Sequence, residues 1–127
     1  KKVVLFAVPG AFTPTCSNQP LPGFIAQAAA IRAKGVDAII CMSANDAFVM
    51  DAWGKNRGTG DQVRLTADAN GDLSKSLGLD FDASRIGFGI RCQRFAAIIE
   101  DGVVTKIAVE APMKFEVSSA EAILAAR

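Results

Sequence analysis

Val3 to Val8 (VVLFAV) is an unbroken apolar run closed by Pro9-Gly10. A strand with one face in water alternates apolar and polar residues, so a run that is apolar throughout needs cover on both faces. That requirement points to a central strand between layers of helix. Val36 to Met42 reads as a second buried strand and Val63 to Thr66 as a short third. Between the first two, apolar spacing from Phe24 to Ala33 is helical and Lys34-Gly35 ends it. Pro20, Pro22 and Gly23 interrupt the start of that stretch, so its first turn is expected to be separate or kinked. Asp46 to Lys55 reads as a second helix, with Ser43 or Asn45 as its cap. Asp68 to Leu77 is a turn leading into a short helix stopped by Gly78. Asp101-Gly102, flanked by Arg94–Glu100 and Val103–Val109, is a two-residue hairpin signal. Ser118 to Glu121 has capping-box spacing and opens a last helix to Arg127.

The order is strand, helix, strand, helix, strand, short helix, hairpin, helix. Alternating units build a parallel core, and the hairpin and last helix close it. This is the layout of a thioredoxin-like α/β fold: a central, mostly parallel sheet with a C-terminal β-hairpin and helices on both faces. At 127 residues, with no repeat or linker, one domain spanning 1–127 is expected. In open α/β sheets ligands meet the carboxyl ends of the strands, and the loop after the first strand, Pro9 to Cys16, sits at such an end.

Charge and composition exclude several functions. The net charge of +1 gives no basic excess for a nucleic-acid partner. Lys1-Lys2 before the first apolar run superficially suggests a signal peptide, but Pro9-Gly10 ends the run early and no small-residue cleavage pattern follows. No stretch nears the ~20 apolar residues that span a bilayer, so no membrane partner is expected. The sequence has no histidine, which removes Ser-His-Asp and Cys-His catalysis. Its three cysteines, Cys16, Cys41 and Cys92, form neither a C-x-x-C nor a disulfide framework, as in a reducing compartment, and give no zinc-site spacing. A cytoplasmic chain without cofactor or metal is expected.

The loop Pro9-Gly10-Ala11-Phe12-Thr13-Pro14-Thr15-Cys16 contains P-x-x-x-T-x-x-C and is followed by L-P-G-F. This string resembles the active-site signature of the peroxiredoxin family, and in its longer form the type II, or peroxiredoxin-five-like, subfamily. Ser43 to Val49, Trp53-Gly54 and Arg91-x-x-Arg94-Phe95 are similar to that subfamily in the same register, so the resemblance covers essentially the whole chain. It implies a thiol peroxidase in which Cys16 attacks a hydroperoxide and becomes a sulfenic acid. By the same resemblance Thr13 bonds the thiolate and peroxide through its hydroxyl, Pro9 shields the sulfur, and Arg91 brings a guanidinium to the pocket. The residues support those roles: Cys16 precedes a helical stretch, where free backbone N–H groups favour a thiolate, and an arginine adds to the effect.

Each of these residues also has a plainer reading. An isolated free cysteine is most often a buried core residue, but Thr13, Thr15 and Ser17 around Cys16 do not suit a wholly apolar site. Arg91 alone would be a surface arginine; its place in R-x-x-R-F raises it, and Arg94 is read as structural. Cys41 lies in an apolar strand and reads as core, although some plant relatives carry a resolving cysteine at this place. Serving Cys16 would require Cα atoms within ~7 Å and hence local rearrangement. Cys92 is read as incidental. Asp68 to Asp72 lacks the ligand ladder of a calcium loop and reads as a turn. Phe12 suits a partly apolar pocket open to organic hydroperoxides.

Animal relatives carry a resolving cysteine near the C-terminus and Ala111 to Arg127 holds none, so the resemblance implies that, unless Cys41 takes part, an external thiol reduces Cys16: glutathione with glutaredoxin, or thioredoxin. The resemblance further implies a homodimer meeting through loops near the site. It also implies an N-terminal hairpin ahead of the first strand; the sequence begins at that strand, and an exposed sheet edge is expected.

Overall fold

The first apolar run forms β1 (Lys2–Ala7) in the computed structural model. The structure describes residues 2–10, 20–60, 62–68, 70–87, 89–110, 118–120 and 122–123. The further elements are α1 (Pro20–Ala26), α2 (Ala28–Ala33), β2 (Ala38–Ser43), α3 (Ala47–Arg57), β3 (Arg64–Ala67) and α4 (Asp72–Ser76). They are followed by β4 (Asp80–Asp82), a 3-10 turn (Ser84–Ile86), β5 (Ile90–Cys92), β6 (Phe95–Glu100) and β7 (Val103–Val109).

β1 is the middle strand of a five-stranded sheet ordered β3-β2-β1-β6-β7. It pairs in parallel with β2 and antiparallel with β6, and β2 in turn pairs in parallel with β3. The sheet is therefore mixed: the parallel strands lie on one side of β1 and the antiparallel hairpin on the other. β4 and β5 form a separate two-stranded sheet. The β6–β7 turn has Asp101 at φ 52° and Gly102 at φ 83°, the left-handed pair that a tight hairpin turn needs.

Alternation along β1 sorts the interior into two clusters. Val4, Phe6 and Val8 face one way, with Ile39, Cys41, Ala96 and Ile98 from the neighbouring strands. Phe24 and Ile31 of α1–α2 and Met50 and Trp53 of α3 cover them, as do Ala120 and Ile123. The rings of Phe6 and Phe24 stack at 3.9 Å. The β1–β2 and β2–β3 crossovers step across the sheet in one direction, and right-handed connections then put both helical segments on the same face. Leu5 and Ala7 face the other way, into a smaller cluster of Ala7, Met42, Cys92, Phe95 and Ala97 with Leu79 packed against it. The unbroken run VVLFAV is thus covered on both sides.

Three local expectations change. The helical break falls at Gln27 (φ −99°, ψ 5°) and not at the prolines. Pro20 and Pro22 occupy the first turn of α1, where a missing N–H breaks no helical bond. α3 is capped by Asp46, whose Oδ1 accepts from Val49 N at 2.8 Å, while Ser43 Oγ donates to Asn45 Oδ1. The last helix is capped by Ser119, whose Oγ accepts from Ala122 N at 3.0 Å. Ser118 instead donates its N–H and hydroxyl to the buried Glu110. Glu121 and residues 124–127 lie outside the described residues.

Candidate active site

β1 runs directly into the Pro9-Gly10 loop, and Val8 N still donates to Met42 O at 3.0 Å, so the start of that loop is held to the end of β2. Pro9 is half-buried and Gly10 buried. Arg91 stands on β5, opposite Phe81 of β4. Its Nη1 donates to the backbone carbonyl of Pro9 at 3.1 Å across a separation of 82 residues. Two of the residues singled out in the sequence therefore meet, at the carboxyl end of the central strand.

Thr13 and Cys16 lie outside the described residues. Cys41 is fully buried in mid-β2, opposite Phe6 on one side and Leu65 on the other, within the larger cluster. Arg94 is half-buried, and its carbonyl accepts from Glu110 N at 2.9 Å.

The turn at Asp68 does structural work that its sequence only hints at. Asp68 N donates to Ser43 O at 2.8 Å, joining the ends of β3 and β2. Its carboxylate accepts from Leu73 N at 3.0 Å, Ser74 N at 2.9 Å and Ser74 Oγ at 2.7 Å. Burial alone would raise this carboxyl, but the Ser74 hydroxyl and the backbone N–H groups of Leu73, Ser74 and Asp72 hold it below the usual range. Cys92, read as incidental in the sequence, is fully buried in the smaller cluster. Burial pushes its thiol up to about 11, against the lowering effect of Ser74 and with a further push from Asp68 and Asp80. Cys92 is thus no nucleophile at neutral pH. Sequence reasoning missed the role of Asp68 because it ties together β2, β3 and α4; the only local sign was a serine inside the short helix after Asp68.

The Redoxin family model matches residues 1–124. Peroxiredoxin-2B of Arabidopsis thaliana is 51% identical over 126 residues, covering 99% of this chain and 78% of that protein. The chain belongs to the peroxiredoxin family. The crystal structure of the reduced Prx3 of Vibrio vulnificus in complex with hydrogen peroxide superposes with a TM-score of 0.96 at 55% identity, covering 100% of this peroxiredoxin chain and 82% of that one. The chloroplastic peroxiredoxin-2E of Arabidopsis thaliana is 48% identical over 99% of this chain, which spans only 55% of that protein's length. The thioredoxin-like fold expected from the element order agrees with these peroxiredoxin neighbours. Among the described residues no helix is long and apolar enough to cross a membrane.

Proposed function

We propose that this peroxiredoxin chain reduces hydrogen peroxide and organic hydroperoxides as a thiol-dependent peroxidase, with Cys16 as the attacking residue. The observation that carries the reading is the 3.1 Å hydrogen bond from Arg91 Nη1 to Pro9 O, because it puts a cation beside the loop that leads to Cys16. The hydrogen peroxide held by the Vibrio vulnificus relative supports the substrate class.

A guanidinium at that place favours thiolate over thiol. Lowering a thiol from ~8.5 to ~6 raises its thiolate fraction at neutral pH about 30-fold, equivalent to ~2 kcal/mol. The rest of the acceleration comes from aligning the O–O bond and from stabilising charge on the departing oxygen, the roles assigned to Thr13 and Arg91. The Cys16 thiolate bonds to one peroxide oxygen as the O–O bond breaks. The other oxygen leaves as hydroxide or alkoxide and takes up a proton, giving water or an alcohol, and Cys16 is left as a sulfenic acid. One external thiol condenses with it, releasing water and forming a mixed disulfide. A second thiol then restores the Cys16 thiol and carries off the disulfide. Glutathione with glutaredoxin is the proposed donor and thioredoxin the alternative. The mid-strand burial of Cys41 supports an external reductant, since Cys41 could resolve Cys16 only if β2 opened.

Two copies are proposed to meet at this same end of the sheet. Phe48, in the first turn of α3, is 88% exposed there, which suits a residue that a second copy covers.

The deciding experiment follows Cys16 by intact mass after mixing the reduced protein with hydrogen peroxide, with Cys16→Ser as control. Fast sulfenic acid formation followed by sustained turnover with glutathione and glutaredoxin is expected. Oxidation no faster than that of free cysteine would refute the peroxidase reading. A Cys16–Cys41 disulfide formed before any reductant is added would replace the external-thiol cycle with a two-cysteine one.

A further inference from the structure

Phe81 stands directly across the β4–β5 ribbon from Arg91. Residues opposite each other in an antiparallel pair share a face, with Cβ atoms about 4.5–5.5 Å apart. The face these two share is the one from which Arg91 Nη1 reaches Pro9 O. Side chains alternate along a strand, so Asp80, Asp82 and Cys92 turn the other way, where Cys92 enters the smaller cluster. Phe81 joins neither core cluster and is 38% exposed. A one-residue slip of Asp80-Phe81-Asp82 would set an aspartate opposite Arg91. A carboxylate there would draw the guanidinium into an ion pair and repel an anion forming beside it. The register puts an apolar ring in that place.

When a thiolate attacks an organic hydroperoxide, the oxygen that departs as alkoxide is the one bonded to carbon. In the peroxidase reading above, Arg91 stabilises the charge on that oxygen. The first carbon of the organic group is then a single C–O bond from the atom that the guanidinium meets. The group therefore lies within reach of whatever stands beside Arg91. Hydrogen peroxide carries only a proton at that place. Apolar surface next to Arg91 thus acts on organic hydroperoxides and has nothing to hold on hydrogen peroxide.

We propose that Phe81 is a specificity-determining residue whose ring receives the organic group of a hydroperoxide while Arg91 meets the departing oxygen. The inference rests on the peroxidase reading and on Arg91 acting in it. Its driving force is the water that the organic group displaces from the open face of the ring, so the effect grows with the apolar area of that group. Phe81 contributes most with cumene hydroperoxide and less with tert-butyl hydroperoxide.

The test uses the full chain and measures the second-order rate constant of Cys16 oxidation by hydrogen peroxide, tert-butyl hydroperoxide and cumene hydroperoxide. The unmodified chain is compared with Phe81→Thr and Phe81→Leu, and near-ultraviolet circular dichroism confirms the fold of each. Threonine suits a strand and removes the ring, whereas leucine keeps apolar bulk. In Phe81→Thr the ratio of the cumene hydroperoxide constant to the hydrogen peroxide constant is expected to fall roughly fivefold to tenfold. The corresponding ratio for tert-butyl hydroperoxide should fall about twofold to threefold. Phe81→Leu is expected to keep both ratios within about twofold of the unmodified chain.

An equal slowing with all three peroxides would overturn the assignment, because that is what a residue merely sheltering the stem of Arg91 gives. So would ratios that Phe81→Thr leaves in place. Should Phe81→Thr fail to fold, Phe81→Ala decides the same point. If the unmodified chain is oxidised by hydrogen peroxide no faster than free cysteine, the peroxidase reading falls and this inference falls with it. Fast oxidation by hydrogen peroxide, with peroxide ratios insensitive to Phe81→Thr, rejects the role of Phe81 alone.

Discussion

The two faces of the central sheet are built on different scales. The larger carries Phe6, Phe24, Met50 and Trp53 under three helices; the smaller gathers Ala7, Met42, Cys92, Phe95 and Ala97, with Cys92 contributed by the two-stranded ribbon. The large face holds the aromatic mass that resists unfolding. The small face holds little mass, but it supports the strand that delivers Arg91. Stability and chemistry are thus divided between opposite sides of the same strands, and substitutions on the two sides should give different phenotypes.

The largest effect is expected on the large face. Trp53 is fully buried, and Trp53→Ala should destabilise the chain by about 3–5 kcal/mol in denaturant titration. The oxidation rate of the fraction that remains folded should be nearly unchanged; a rate loss matching that of Arg91→Gln would erase the division. Arg91→Gln should do the reverse, slowing Cys16 oxidation by roughly 100-fold with little change in the unfolding midpoint.

Asp68→Asn comes next. The Asp68 carboxyl is held below its usual range, so its contribution is present above the unfolded value of ~3.9 and disappears as pH falls through the lower folded value. The variant should lose about 1 kcal/mol at neutral pH and show a flatter stability profile below pH ~4. An unchanged acid profile would remove Asp68 from the support of the small face. Cys92 behaves in the opposite sense. Its folded value near 11 lies above the usual thiol, so the stability it lends is complete below pH ~8.5 and declines as pH rises toward 11. In native protein at pH 8, iodoacetamide should therefore label Cys92 only through unfolding, which peptide mass mapping would check. The smallest effect on stability is expected at Phe48. Phe48→Asp should leave the unfolding midpoint in place and shift the species seen by light scattering from dimer to monomer. A chain that is already monomeric would reject the proposed contact.

Much of the frame was legible because its signals are local. VVLFAV could only be a strand covered on both faces, and Asp101-Gly102 could hardly be anything but a hairpin turn. β4 and β5 were not legible. Asp80-Phe81-Asp82 and Ile90-Arg91-Cys92 are too short to show a period, and they pair across the intervening 3-10 turn. The same reason separates the site residues. Pro9 stood out through its own motif, whereas Arg91 carried no local signal and entered through a family resemblance; the contact between them spans 82 residues. The burial of Cys92 was not legible, because a lone cysteine in sequence says nothing of the residues that pack around it. The helix caps were displaced by a residue or more for a simpler reason: Ser43, Asn45 and Asp46 are all competent acceptors, and only the exit direction of β2 selects among them.

Arg91 grips an atom that no codon specifies. The Pro9 group it binds is a main-chain carbonyl, and every amino acid placed at position 9 would offer the same oxygen. An alanine scan would therefore register only the loss of the pyrrolidine ring at position 9 and would not reveal that the contact exists. Inherited variation can delete this link from the arginine side but not from the other, so one half of the connection is protected from drift. Weakening it at its acceptor would require chemical synthesis, with an ester or thioamide in place of the amide, and that is the substitution by which the contact could be measured apart from the residue.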